Sequence, residues 1–100
     1  MKKKELTTDS LISQTEELVA SEIDGETVMM SIENGKYYGL DNIGSFIWEQ
    51  IESPVSVSDL MDMILLDYDI DRETCERDVM AFLKKLYDDD IILVQALENR

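Results

Sequence analysis

Residue types that commonly carry catalysis are scarce in this sequence of 100 residues. The chain has no histidine and a single cysteine, Cys75. Ser-His-Asp triads, Cys-His nucleophiles and most zinc sites are therefore excluded within the chain, as is an intramolecular disulfide. Because Cys75 lies in a helical pattern between Thr74 and Glu76, we interpret it as a small core residue rather than a nucleophile.

Carboxylates could support hydrolysis in another way, by holding a metal ion. Two groups of them are closely spaced: Asp59 with Asp62, and Asp67 with Asp69 and Asp71. A calcium loop that begins at Asp67 would need a turn glycine and a Glu at its twelfth position, where Asp78 stands. We therefore predict no enzyme activity, no cofactor, no metal site and no catalytic residue.

The charge balance argues against a nucleic acid as the main ligand. Nine basic and 23 acidic residues give a formal net charge of −14, which repels phosphate. The same charge suits either a basic peptide partner or plain solubility. No stretch approaches the ~18–20 consecutive apolar residues of a membrane helix, and a polar segment follows the basic start, unlike a signal peptide. We expect a cytoplasmic protein that contacts neither membrane nor nucleic acid.

The first half of the chain predicts a three-stranded antiparallel meander. We predict strands over residues 17–23, 26–33 and 36–40, which carry Val, Ile, Met and Tyr. The dipeptides Asp24-Gly25 and Asn34-Gly35 separate the strands and are typical of two-residue type I′ turns. Residues 1–16 are expected to form an N-terminal extension that can be flexible, ahead of one domain over 17–97.

Two-residue turns fix the register and the faces of this sheet. The expected pairs are Ser21 with Val28, Val19 with Met30, and Ile32 with Tyr37. One face then carries Val19, Ile23, Val28, Met30, Ile32 and Tyr37. The other carries Leu18, Met29, Tyr38 and Leu40, which is too apolar for a fully hydrated face. Either the second turn contains a bulge or both faces are partly covered.

The second half predicts three helices and a short final strand. Asp41 or Asn42 would cap the first helix, Ser56 with Asp59 the second, and Asp71 the third. Apolar residues recur at helical spacing in each segment, and an apolar run over 91–97 could form the strand. The fold class is therefore α+β, a winged helix-turn-helix-like arrangement of a meander followed by three helices.

Two features of this arrangement predict peptide binding. The third strand would be an open edge of the sheet, although residues 5–15 could also cover it. The third helix has an apolar arc of about 160°, wider than one core needs, so either the final strand or a ligand contacts one flank. An apolar edge beside such a helix suits the addition of a peptide as a further β-strand.

The order and separation of three stretches resemble the PqqD-like family. They are DGETVMMSIENGKYYGLDNIGSFIWEQI, SVSDLMDMILLDYDI and ERDVMAFLKKLYDDDIIL, and the resemblance covers residues 17–93. Members of this family are known as recognition elements for the precursor peptides of ribosomal peptide natural products. The resemblance implies a non-catalytic protein that binds a precursor's leader segment beside its third strand.

Within the family, a free-standing chain of this size resembles the leader-binding partner in split lasso-peptide maturation. There a separate leader peptidase removes the leader. The founding branch instead serves a radical-SAM enzyme that makes pyrroloquinoline quinone, and the sequence leaves both branches open. A winged-helix DNA-binding regulator is a further alternative, but the third helix carries more acidic than basic residues.

The resemblance also implies which residues bind the peptide. The third strand would contribute Lys36, Tyr37, Tyr38, Gly39 and Leu40. The third helix would contribute Asp78, Val79, Phe82, Lys85 and Leu86. The alternative for the apolar side chains is ordinary core packing, and for Asp78 and Lys85 it is a hydrated surface.

Overall fold

The computed structural model describes residues 5–16, 18–24, 26–33 and 35–95. Over these residues the elements are β1 (Leu11–Gln14), β2 (Leu18–Ile23), β3 (Glu26–Ser31), β4 (Tyr37–Gly39), α1 (Asn42–Gln50), β5 (Val55–Ser56), α2 (Val57–Asp67), α3 (Arg72–Asp88) and β6 (Ile92–Gln95). Some positions used in the sequence predictions lie outside the described residues: 1–4, Glu17, Gly25, Asn34, and 96–97.

The strands form two three-stranded antiparallel sheets. One has the order β2-β3-β4 and is the predicted meander, and the other has the order β5-β1-β6. The α+β class with three helices is thus confirmed. We did not predict β1 or β5. Strand β5 has only two residues, and Leu11-Ile12-Ser13-Gln14 of β1 does not alternate apolar and polar residues. The division of the chain into residues 1–16 and 17–97 stays a prediction.

The turn between β2 and β3 agrees with the sequence. Val19 lies opposite Met30 and Ser21 opposite Val28, as predicted. Asp24 has a left-handed φ of +54°, which the first central position of a type I′ turn requires. The hairpin register therefore follows from the local sequence alone.

The loop between β3 and β4 is two residues longer than the sequence predicts. Met30, rather than Ile32, lies opposite Tyr37, so the loop lies between Ser31 and Lys36, which remain joined by a backbone hydrogen bond. Gly35 has a left-handed φ of +72°, a conformation that suits longer hairpin loops as well as two-residue turns. The predicted pairing of Ile32 with Tyr37 is wrong, and so is a bulge, which would add one residue rather than two.

A shift of two residues in register does not change which side chains share a face of the sheet. The face that packs on the helices carries the smaller of the two apolar sets. Met29 and Leu40 are buried there, with Leu18 and Tyr38 half-buried beside them. We call this side of the sheet the inner face. The larger apolar set points the other way, onto an outer face. Four of its members are exposed: Val19, Ile23, Ile32 and Tyr37.

The three helices begin where the sequence predicts. Asp41, Ser56 and Asp71 are the N-caps, and each side chain accepts a hydrogen bond from the N–H three residues on, at 2.8, 3.0 and 2.7 Å. These bonds satisfy N–H groups that the first turn leaves unpaired. Asp41 therefore takes the role for which Asn42 was the alternative.

The core lies between the inner face, the three helices and the second sheet. Its fully buried side chains include Ile12, Met29, Ile47, Ile51, Leu60, Ile64, Leu83, Ile91 and Ile92. Strand β6 contacts α3, so the final apolar run contributes to the core as one alternative proposed. Among the described residues, no helix has the length and apolar character needed to cross a membrane.

Candidate functional site

Strand β4 forms an open edge of the β2-β3-β4 sheet, on the side of α3. Among the described residues it pairs with β3 alone. Residues 5–15, which could have covered this edge, instead contribute β1 to the other sheet, between β5 and β6. The predicted open edge is therefore present within the described part of the chain.

The direction of the backbone groups along β4 follows from one hydrogen bond. The Leu40 N–H donates to the Thr27 carbonyl of β3 at 2.9 Å. Because peptide groups alternate in direction along an antiparallel strand, the N–H and C=O groups of Tyr37 and Gly39 point to the open edge. Gly39 has no atom within 4 Å of the position that a Cβ would occupy. A second strand can therefore approach this backbone closely.

A cleft of about 370 Å³ lies between β4 and the C-terminal half of α3. Its lining residues are Tyr37, Tyr38, Gly39, Leu40, Asp41, Phe82, Lys85 and Leu86. On the helix side, Leu86 is buried, Phe82 is half-buried and Lys85 is exposed. The wall thus has a buried apolar base and an accessible rim, as a groove for a peptide needs.

One hydrogen bond joins the two walls of the cleft. The Tyr38 hydroxyl donates to a carboxylate oxygen of Asp89 at 3.2 Å, and Asp89 is the C-cap residue of α3. The bond links the inner face of β4 to the end of the helix across 51 residues of sequence. It therefore helps to set the width of the cleft at this end.

The charges in the cleft have opposite signs. Asp41 lines it where β4 leads into α1, and Lys85 lines it from α3. No ion pair joins the Lys85 ammonium to another residue in the described part of the chain. Lys85 is thus available to a carboxylate of a bound peptide.

A second cavity of about 200 Å³ lies beside the cleft and shares Asp41 and Phe82 with it. Its other lining residues are Ile43, Gly44, Ile47, Ile64, Ile70, Cys75, Asp78 and Val79. Gly44 permits a close approach, because a Cβ there would lie 3.3 Å from the Phe82 ring and 3.1 Å from the Asp41 carboxylate. The position of Phe82 therefore depends on Gly44.

The ten residues implied by the family resemblance divide among these features. The cleft brings together Tyr37, Tyr38, Gly39, Leu40, Phe82, Lys85 and Leu86. Asp78 and Val79 line the adjoining cavity instead, where Asp78 also pairs with Arg77 at 3.5 Å. Lys36 lines neither. The role of all ten residues in peptide binding stays a prediction.

Sequence reasoning missed several residues that border the cleft and the adjoining cavity. We predicted Asp41 only as a helix cap, and Ile43, Gly44 and Ile70 not at all as parts of a site. A glycine near the start of a helix was the available signal, since Gly disfavours helix unless close packing requires it. The other contacts depend on how α1 crosses α3, which no local pattern specifies.

Cys75 lies in the wall of the adjoining cavity and has no exposed surface. Burial raises the pKa of its thiol, because a thiolate would lose hydration. A protonated, inaccessible thiol is a poor nucleophile. This environment agrees with the interpretation of Cys75 as a core residue.

The family model described as "Coenzyme PQQ synthesis protein D (PqqD)" matches residues 26–92 of the chain. The chain belongs to this family. The match runs from β3 into β6 and so contains both β4 and α3, the two sides of the cleft. The resemblance to PqqD-like recognition elements is thereby confirmed.

Two solved structures share the fold. "TbiB1 in Complex with the TbiA(beta) Leader Peptide" is 31% identical, with a TM-score of 0.74 over 87% of this chain and 99% of that chain. "Lasso peptide synthetase B1 complexed with the leader peptide" is 21% identical, with a TM-score of 0.72 over 82% of this chain and 96% of that chain. At its level of identity, the second shows the fold alone. No curated protein matches the chain.

Proposed function

We propose that the chain binds the leader segment of a ribosomally made precursor peptide, of the lasso-peptide type, as an added strand on β4. The main observation that supports this proposal is the open edge of β4 beside the accessible wall formed by α3. The similarity to TbiB1, which is described in complex with a leader peptide, supports the same ligand class here. Binding would occur in the cytoplasm, where such precursors are synthesised.

The added strand would use both walls of the cleft. Tyr37 and Gly39 offer four backbone groups at the edge, each hydrogen bond contributing roughly 0.5–1.5 kcal/mol. Since the sheet is antiparallel throughout, we expect the peptide to run antiparallel to β4. Alternate side chains would then point toward Phe82 and Leu86, which provide selectivity, and Lys85 can pair with an acidic residue of the leader.

The same proposal assigns the chemistry to a partner. The chain has no histidine, and its single thiol is buried. The protein would therefore present the bound precursor to a separate leader peptidase. A second candidate function follows from the description of the matching family model: presenting a peptide to a radical-SAM enzyme in pyrroloquinoline quinone synthesis. The identity of the precursor that binds the cleft distinguishes the two.

Hydrogen exchange tests the binding mode. Residue-resolved amide exchange is measured with and without a synthetic leader peptide, taken from the precursor that the neighbouring genes identify. We expect the leader to slow exchange at Tyr37 and Gly39, whereas Leu40, already bonded to β3, changes little. The amides of Ala20 and Glu22 on the other edge are the internal control. Protection confined to α1 and α2, or to β2, would refute strand addition at β4.

A further inference from the structure

The outer face of the β2-β3-β4 sheet is more apolar than a free surface of this protein requires. Val19, Met30 and Tyr37 lie directly opposite one another and form a row across the three strands. Val19 is 49% exposed and Tyr37 72% exposed. Adjacent large apolar side chains in a row, rather than scattered singly, are typical of an interaction surface.

The row continues to both ends of the hairpin. Ile23 at the end of β2 is 57% exposed and Ile32 after β3 is 63% exposed. Val19, Ile23, Ile32 and Tyr37 are four of the six residues in the larger apolar set that the sequence distributes to one face, and the other two, Val28 and Met30, are half-buried. The helices pack against the opposite face, so the fold leaves most of this set accessible.

The border of this face is acidic. Between residues 18 and 40 the chain has four acidic residues and one basic residue, Lys36. Three of the acidic residues, all exposed, lie on or next to the outer face: Asp24 in the turn, Glu26 opposite Ile23, and Glu33 after Ile32. Glu22 points to the inner face. An apolar centre with an acidic border is complementary to an apolar patch with a basic border.

The acidic border of the outer face disfavours a second copy of the chain as the partner that binds there. Two copies would each bring a net charge of −14 and would place their acidic borders against each other. Like charges facing each other across an interface oppose association. A different protein with cations around its contact surface does not meet this repulsion.

The outer face is continuous with the proposed leader site. Tyr37 belongs both to the row on the outer face and to the lining of the cleft. A peptide added beside β4 would become the fourth strand of the same sheet, and every second side chain of it would extend the outer face. A protein seated on this face would therefore contact the bound leader as well.

We propose that the outer face of the β2-β3-β4 sheet is the docking surface for the enzyme that processes the bound leader, an enzyme whose contact patch is apolar with a basic border. The inference rests on the proposed function, because the enzyme is recruited to a chain that holds the leader. Leader and enzyme then increase each other's affinity, since thermodynamic coupling between two ligands is reciprocal.

The test uses the full chain, with the labelled leader peptide and the leader peptidase that its neighbouring genes identify. The variant is Val19→Lys with Ile23→Lys, both on β2 and away from the cleft; edge strands tolerate lysine. We expect leader affinity within twofold of the parent and peptidase affinity at least tenfold weaker. For the parent, saturating leader tightens peptidase binding at least threefold. Leader affinity is measured by fluorescence anisotropy and peptidase affinity by biolayer interferometry.

Two matched variants sharpen the result. Leu66→Lys replaces another exposed apolar residue, 85% exposed on α2 and outside the sheet, and we expect it to bind the peptidase like the parent. Glu26→Lys with Glu33→Lys keeps the apolar row but reverses two border charges. We expect this pair to weaken peptidase binding at 50 mM salt more than at 300 mM, because screening reduces electrostatic attraction.

Each remaining outcome contradicts a defined part of the proposal. If Val19→Lys with Ile23→Lys binds the peptidase like the parent, the docking surface lies elsewhere, although leader binding stands. If the parent dimerises in sedimentation analysis and this variant does not, the occupant is a second copy. If the parent binds no leader, the proposed function itself fails, before the peptidase is added.

Discussion

The two open edges of one sheet, β2 and β4, differ in what lies beside them. Strand β4 faces α3 across a cleft, and its inner-face residue Tyr38 bonds to Asp89 at the end of that helix. Strand β2 has no comparable support: from Val19 to Ile23 all its residues are exposed, even Ala20 and Glu22 on the inner face. On the inner face of β2 only Leu18 packs against the core, whereas β4 contributes to the wall of a cleft.

This difference indicates that an open edge is not by itself a binding site. Both strands present unpaired backbone groups, so both could accept a further strand. Only β4 adds apolar side chains on a neighbouring helix, which can bury the side chains of a peptide and exclude water. Strand β2 carries Glu22 on its edge instead, and a charge there discourages unintended pairing.

The largest effect is expected from removing the backbone donor of Gly39 on β4, and the matched change on β2 is the control. Gly39→Pro deletes an N–H that points away from β3 and places a ring where the peptide would lie. We expect leader binding to weaken at least thirtyfold, about 2 kcal/mol, because a peptide carbonyl loses its partner. Ala20→Pro makes the equivalent change on β2, since Ala20 also points away from β3. Its leader affinity, measured by fluorescence anisotropy, is expected to match the parent.

Gly39→Ala distinguishes the loss of the N–H donor from the effect of adding a side chain. It retains the N–H, and the structure has space for its Cβ, so we expect near-parental affinity. Equal losses in Gly39→Pro and Ala20→Pro would mean that the edges do not differ. Circular dichroism of all three variants checks that the sheet, in which proline is tolerated at edges, remains folded.

The next effect concerns the helix that only β4 has beside it. Phe82 is half-buried in the cleft wall, whereas Leu86 is buried in the core. We expect Phe82→Ala to unfold cooperatively and to bind leader at least tenfold more weakly, about 1.4 kcal/mol. Leu86→Ala is expected to lose more stability, about 2–5 kcal/mol. Thermal unfolding is paired with an anisotropy titration of labelled leader.

An unfolded Phe82→Ala, or one that binds leader like the parent, would place Phe82 in the core or in solvent. The opposite flank of α3 provides the comparison. Met80 and Tyr87 line a separate cavity of about 480 Å³ together with Leu6. Met80→Ala is therefore expected to leave leader affinity unchanged.

Local sequence predicted the parts of this site that depend on neighbouring residues. The edge strand, the cap at Asp71 and the half-exposed position of Phe82 follow from turn chemistry, capping and helical periodicity. The length of the second loop does not, because Gly35 suits more than one hairpin. The sequence also left open which face of the sheet is buried. The side that the helices cover depends on the path of the chain after β4, and the larger apolar set lies on the other side.

A smaller effect is expected at Gly44, which lets the Phe82 ring lie close to α1. Gly44→Ala improves helix propensity by roughly 1 kcal/mol, but its methyl group must displace Phe82 or the Asp41 carboxylate by a few tenths of an ångström. We expect leader affinity to fall two- to fivefold with little change in melting temperature. Ser45→Ala on the same helix is not a suitable control, because the Ser45 hydroxyl accepts a hydrogen bond from the Thr27 N–H of β3.

Glu49→Ala, an exposed change further along α1, is the better control. It is expected to bind leader like the parent. If Gly44→Ala also binds like the parent, then the position of Phe82 against α1 does not determine affinity. The anisotropy titration described for Phe82 measures both variants.

The smallest effect is expected at the far end of α3, and it tests whether the helix acts as a rigid wall. Asp71 caps the helix, and its hydrogen bonds from Thr74 lower the pKa of its carboxyl below the ordinary value. Because the pKa of Asp71 is lower in the folded than in the unfolded state, its ionised carboxylate stabilises the folded protein at pH values above the unfolded-state pKa, near 4. This stabilisation is lost as the pH falls through the folded-state pKa. Asp71→Ala is therefore expected to melt a few degrees below the parent at pH 7, with the difference narrowing below pH 4.

Leader affinity at pH 7 provides the second readout for Asp71→Ala. The first turn of α3 is about three turns away from Phe82 and Lys85, so fraying there should leave the cleft intact. We expect leader affinity within twofold of the parent. A melting difference that widens toward low pH would contradict the assigned pKa direction. A large loss of leader affinity would instead mean that the wall beside β4 depends on the whole helix, and that the contrast with β2 extends beyond the cleft.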